Sequence, residues 1–153
     1  MPQQLFVSSP LSTLAEQNLN ATLAAIVREV GYDCYLPQEH LPPGGGASPR
    51  DIFQHNITAV QASDVVLGVL DKPGSGVIFE LAYAFALGKP IIVFRSDKQD
   101  YLGKLIEGFW ETTAPECRAT TLNDLRTILQ RFKSGAAIAT HGVRQHRLNP
   151  VHS

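Results

Sequence analysis

One carboxylate in this chain stands where chemistry can be expected. An apolar run, Val65 to Leu70, delivers the chain to Asp71, and Lys72-Pro73-Gly74-Ser75-Gly76 then makes a turn. Glu80 follows inside the first turns of an apolar-rich helical stretch. In an open α/β sheet, ligands bind in the crevice beyond the carboxyl ends of the strands. A helix beginning there offers unpaired backbone N–H groups to an anionic or oxygen-rich ligand. Glu80 is flanked by Ile78, Phe79 and Leu81, so its company is apolar. Such a residue is either a solvent-facing glutamate favoured by the helix dipole or a functional carboxylate.

Other groups offer less. His40, His55, His141, His146 and His152 have no metal-ligand spacing, and Cys34 and Cys117 form neither a CxxC nor a Cys/His pattern. No metal and no cofactor is expected. Gly44-Gly45-Gly46 lacks the Lys-Ser/Thr that completes a phosphate-binding loop and reads as flexible cover. Ser8 and Ser9 have no Ser-His-Asp context and read as pocket hydrogen-bonders. Trp110 reads as a core or interface residue rather than a stacking platform.

The elements that must position Glu80 alternate. Strand-like runs fall at Leu5 to Val7, Tyr32 to Leu36, Val65 to Leu70 and Ile91 to Phe94, with a short fifth at Arg118 to Thr120. Helical periodicity covers Thr13 to Val30, Asp51 to Ser63, Val77 to Leu87 and Leu122 to Phe132. The segment Pro37 to Pro49, rich in Pro and Gly, reads as a loop, and 97–110 as a loop with a helical turn near Leu102 to Ile106. Strands alternating with helices imply a mainly parallel, doubly wound five-stranded α/β sheet with helices on both faces. Parallel strands present their carboxyl ends to one side. The loops after Val7, Leu36 and Leu70 therefore converge with Glu80 on a small-molecule pocket.

Composition narrows the partners. The chain has 153 residues, 44% of them apolar, enough for one domain with a real core. Residues 1–133 are expected to form it, with 134–153 as a mobile or partner-docked tail. A formal charge of −1 supplies no field for nucleic acid or an anionic membrane. No apolar stretch approaches the ~20 residues of a membrane span. The amino end lacks the pattern of a signal peptide, so a cytoplasmic location is expected.

The run Ala62 to Asp71, continued by Gly74-Ser75-Gly76-Val-Ile-Phe-Glu80-Leu-Ala-Tyr-Ala-Phe-Ala-Leu-Gly88-Lys-Pro90, resembles the nucleoside 2-deoxyribosyltransferase family. The opening Leu5-Phe6-Val7-Ser8-Ser9-Pro10 resembles the family's first strand and turn, and the likeness extends over roughly residues 5–132. The resemblance implies a flavodoxin-like fold and Glu80 as a nucleophile that forms a covalent glycosyl-enzyme. It implies 2-deoxyribose transfer between nucleobases with retention, on nucleosides and free bases as small-molecule partners. It also implies a homo-oligomer with shared active sites. Phe6, Ser8, Ser9, Pro10, Asn56, Asp71, Gly74, Ser75 and Gly76 become the expected substrate-binding residues. Two positions depart from the family pattern: Asn56 stands where an acidic residue is common, and Gly74 where many transferases carry Asp. The alternatives are a nucleoside 5′-monophosphate N-glycosidase, whose usual phosphate-side Ser is one register away from Ser75, and a nucleoside-binding module with lapsed chemistry.

Overall fold

The computed structural model describes residues 3–135. Nearly all of the expected tail, 136–153, lies outside the described residues. Five strands form one parallel sheet: β1 (Gln4–Ser8), β2 (Asp33–Tyr35), β3 (Val65–Val69), β4 (Ile91–Phe94) and β5 (Arg118–Ala119). Their order is β2-β1-β3-β4-β5, and every pairing is parallel. The helices are α1 (Leu14–Val30), α2 (Pro37–His40), α3 (Pro49–Ala62), α4 (Ser75–Ala86), α5 (Lys104–Thr112) and α6 (Leu122–Lys133). The doubly wound, flavodoxin-like α/β fold expected from the sequence is the one observed.

Local chemistry explains where the helices begin. Thr13, Ser48 and Thr121 each cap a helix, and Glu16, Asp51 and Asp124 reach back to complete three capping boxes. α1 and α6 cover one face of the sheet around Leu23, Val27, Leu125 and Leu129. On the other face Phe6, Val66 and Val93 pack with Val60 of α3, Leu81 of α4 and Trp110 of α5. All five residues of β3 are buried, which is why its sequence is one unbroken apolar run rather than an alternating one.

Two expected loops contain helix. The first turn of 37–49 coils into α2, with Pro37 at its start, where the missing N–H costs no hydrogen bond. The segment 97–110 leads into the nine-residue α5, which runs on to Thr112, in place of a single turn at 102–106. A tertiary contact explains α5. The guanidinium of Arg95 forks onto both oxygens of Glu107 at 2.9 Å each and also donates to the Asp100 carbonyl. That pairing holds the Glu107 carboxyl down to about 2, and Leu102 N–H adds a third donor. Periodicity within 97–110 carries no trace of this long-range anchor. Trp110 is buried, as its type suggested.

Gly68 sets the distance between sheet and α4. It lies opposite Ser8 in the β1–β3 register, and a Cβ there would fall 2.4 Å from Leu81 Cδ2. The bare backbone lets α4 close onto the sheet one residue from Glu80. Gly68→Ala should therefore cost roughly 1–3 kcal/mol through overpacking and shift α4 outward. Urea denaturation checks this; an unchanged midpoint would mean that Leu81 repacks freely and that the close approach is not required.

Candidate active site

The chain leaves β1 for β2 on one side and reaches β3 on the other, so the strand order reverses between β1 and β3. Ligands of open α/β sheets bind at such a switch point, beyond the carboxyl ends of the strands. Ser8 ends β1 at this point, and its Oγ donates to Glu80 Oε1 at 2.8 Å across 72 residues of sequence. Ser8 is fully buried and Glu80 half-buried. Both residues were singled out in the sequence, and the fold brings them into contact.

Burial dominates the electrostatics of Glu80 and pushes its carboxyl up to about 7. The Ser8 hydroxyl and, more weakly, the Asn56 amide act the other way by stabilising the charged form. Asn56 lies on α3, and its Oδ1 is buried with no hydrogen-bond partner. The residue also lines a cleft of about 130 Å³ beneath the Pro/Gly loop, bounded by Leu11, Pro37, Pro42 and Ile52. Gly44 and Gly46 adopt φ of 76° and 83° in that cover, a conformation that favours glycine.

The other expected residues divide. Phe6 is buried beneath the site and stacks on Tyr35 with ring centroids 5.5 Å apart. Ser9 turns toward α1, where its hydroxyl donates to Asn20 Oδ1. Asn20, itself buried, donates to the Pro10 carbonyl at 2.9 Å and to Gln38 Oε1 at 3.0 Å, tying the loop after β1 to α2. Gly74 is the N-cap of α4 and supplies no side-chain cap, while Ser75 and Gly76 are exposed in its first turn. Asp71 spends its oxygens elsewhere: it accepts from the Ser96 N–H at 2.9 Å, the Ser96 hydroxyl and the Asp97 N–H at 3.1 Å. It clamps the end of β3 to the loop after β4.

Sequence reasoning did not single out Tyr35, Asn20 or Gly68. Tyr35 closes β2 at the carboxyl edge of the sheet, beside the residues already suspected, and that position was its signal. Asn20 was a polar residue within the apolar stripe of α1. Among the described residues no group of three or more His, Cys, Asp or Glu side chains converges on a possible metal position. No described helix is long and apolar enough to cross a membrane. Along α4 and α5 an apolar groove of about 470 Å³ runs between Leu81, Phe85, Leu105 and Phe109, with Leu105 84% exposed at its rim.

A parallel sheet with a desolvated glutamate at its switch point, hydrogen-bonded by a strand-end serine, is an α/β site suited to a small-molecule ligand that meets a carboxylate. The nucleoside 2-deoxyribosyltransferase family profile matches residues 5–146, and the chain belongs to that family. It is 32% identical over 94 residues to 5-hydroxymethyl-dUMP N-hydrolase of Rattus norvegicus, covering 60% of this chain and 58% of that protein. The match thus spans little more than half the length of that curated relative. A 2-deoxyribosyltransferase from Bacillus psychrosaccharolyticus shares the fold with a TM-score of 0.66 at 18% identity, over 80% of this chain and 90% of that one. A CMP N-glycosidase from Clostridium botulinum does so with a TM-score of 0.57 at 17% identity, over 85% and 99%.

The carboxyl of Glu80 ordinarily titrates near 4.5 and is raised to about 7 in the fold. The native state therefore holds a proton that the unfolded chain releases, and stability falls as pH rises from about 4.5 to about 7. Above that window the cost of keeping Glu80 charged is fully present, up to roughly 3 kcal/mol. Glu80→Gln should be more stable than the parent at pH 8, and the gap should shrink as pH falls to 5. Equal pH profiles of Tm for the two proteins would show that Glu80 is not desolvated.

Proposed function

We propose that the protein breaks the N-glycosidic bond of 2′-deoxynucleosides with Glu80 as nucleophile and passes the 2-deoxyribosyl group to a second base. The observation that carries this reading is the desolvated Glu80 carboxylate, aimed by the Ser8 hydroxyl at the switch point of the sheet. A carboxylate oxygen attacks the anomeric carbon, and the C–N bond breaks with its electron pair leaving on the base nitrogen. The product is a glycosyl ester on Glu80. A second base then attacks the same carbon from the vacated side and expels the carboxylate, so two inversions give retention. Water in place of the second base makes the site a hydrolase.

Asn56 belongs to sugar recognition in this reading. Its buried, unpartnered Oδ1 requires a donor, and a sugar hydroxyl supplies one. An amide can also donate and carries no charge to oppose Glu80, whereas a carboxylate would only accept. A 5′-monophosphate N-hydrolase is the second reading. It is favoured by the N-terminus of α4, which no side chain caps, and by the likeness to the rat 5-hydroxymethyl-dUMP N-hydrolase. The apolar groove along α4 and α5 supports contact between copies of this chain, in keeping with a homo-oligomer whose sites are shared.

One assay separates the readings. The protein is incubated with a 2′-deoxynucleoside or its 5′-monophosphate, with and without a second free base, and products are resolved by chromatography. A new nucleoside is expected from the deoxynucleoside plus acceptor. Free sugar phosphate from the monophosphate alone supports the hydrolase, and neither product leaves a binding module. Glu80→Ala should abolish turnover with folding intact, and wild-type rates in that variant would overturn the covalent mechanism. Asn56→Asp should change the ratio of deoxyribo- to ribonucleoside activity by more than about tenfold, or about 1.4 kcal/mol of transition-state difference; equal ratios would place Asn56 outside the sugar site. Light scattering of the active species tests the oligomer, and the mass of one 16.7 kDa chain would contradict it.

A further inference from the structure

Tyr35 is built into the site with more support than a loop aromatic needs. It is the Cα partner of Phe6 across β1 and β2, and the two rings stack 15° from parallel. His40, from α2, stacks on the same tyrosine with centroids 4.0 Å apart and planes within 5°. A ring stacked on two neighbours has little rotamer freedom, so the phenol oxygen at its end is fixed in space. Side chains alternate along a strand, and Ser8 lies two residues beyond Phe6, so both rise from the face that carries α4. Ser8 meets Glu80 there, and Tyr35 stands on the neighbouring strand level with Phe6, close enough for the charge of Glu80 to act on its hydroxyl.

The Tyr35 hydroxyl makes no hydrogen bond among the described residues, and it is not one of the polar atoms sealed from solvent. The phenol is thus an open donor at a fixed position beside a nucleophile. Burial, and then the charge of Glu80, raise its pKa, so it stays protonated and donates rather than accepting a proton as a base. These same shifts make it a poor proton source for a leaving base. A neutral donor of this kind suits a hydroxyl on the ligand.

We propose that Tyr35 is a substrate-orienting residue of the Glu80 site, its phenol O–H donating to a hydroxyl of the sugar whose anomeric carbon faces Glu80. The proposal deepens the function inferred above and rests on the same site. The 3′- and 5′-hydroxyls of a 2′-deoxynucleoside share this chemistry, and the experiment separates them.

Tyr35→Phe removes only the oxygen and keeps both stacking contacts. Dissociation constants are measured by calorimetry in the Glu80→Ala background, where no turnover interferes, with and without Tyr35→Phe. The probes are thymidine, its 3′-deoxy analogue and its 5′-deoxy analogue. Loss of the phenol should weaken thymidine binding about tenfold, as loss of one hydrogen bond to a ligand hydroxyl does. It should change nothing for the analogue that already lacks the hydroxyl Tyr35 meets, while the other analogue still weakens about tenfold. A merely structural effect would weaken all three probes alike, and that result overturns the proposal, as does thymidine binding unaffected by the phenol. The cycle reads binding alone. A positive cycle in a protein whose Glu80-bearing form turns nothing over would sustain Tyr35 and overturn the proposed reaction; failure of every probe to bind would overturn both.

Discussion

A carboxylate removed from water is costly to charge, and the rest of the molecule is arranged around one such group. Glu80 reaches its place because α4 can approach β3 closely, and that approach depends on the missing side chain of Gly68. The residue opposite Gly68 in the sheet is Ser8, whose hydroxyl bonds the carboxylate at 2.8 Å. One backbone position thus bears on both the depth of the helix and the partner that the Glu80 carboxylate meets. Around this contact the loops are held independently. Asp71 fastens the β3 end to Ser96 and Asp97, Asn20 joins the β1 loop to α2, and Arg95 with Glu107 anchors the segment before α5. Each of these ties is a charged or buried amide contact with several partners, the kind that gives rigidity rather than bulk stability.

In the proposed reaction, the balance between transfer and hydrolysis depends on what reaches the anomeric carbon after the first base has left. Asn56, which meets Glu80, also lines a cleft walled by Leu11, Pro42 and Ile52. Apolar walls favour a flat base over water, and this supports transfer. The uncapped start of α4 pulls toward a phosphorylated ligand instead. The two tendencies arise at different elements, so they can be altered separately.

Much of this was legible in the sequence, for physical reasons. Parallel sheets buried on both faces write their strands as apolar runs, and β1, β3 and β4 were read from such runs, while the edge strand β2 carries an exposed Asp33. Glu80 was conspicuous because an apolar helix start rarely keeps a carboxylate without cause. The roles of Asp71 and Ser9 were not legible: position puts both at the ligand edge, but three donors from Ser96 and Asp97 claim the first and Asn20 claims the second. Partners 25 or 11 residues away leave no local pattern. α5 was shortened to a turn for the same reason, since the Arg95–Glu107 fork that holds it is tertiary. Tyr35 was hidden by its type, because an aromatic at a strand end is ordinarily core.

The central claim is that Glu80 carries the sugar covalently between two bases. The most direct measurement is a rapid quench of the protein with a 2′-deoxynucleoside in the absence of acceptor, followed by proteolysis and mass spectrometry of the peptide that spans Ser75 to Ala86. The account predicts one 2-deoxyribosyl unit esterified to Glu80, lost on adding a free base and absent from Glu80→Gln. Turnover with no adduct on that peptide, or a product of inverted anomeric configuration, would contradict it.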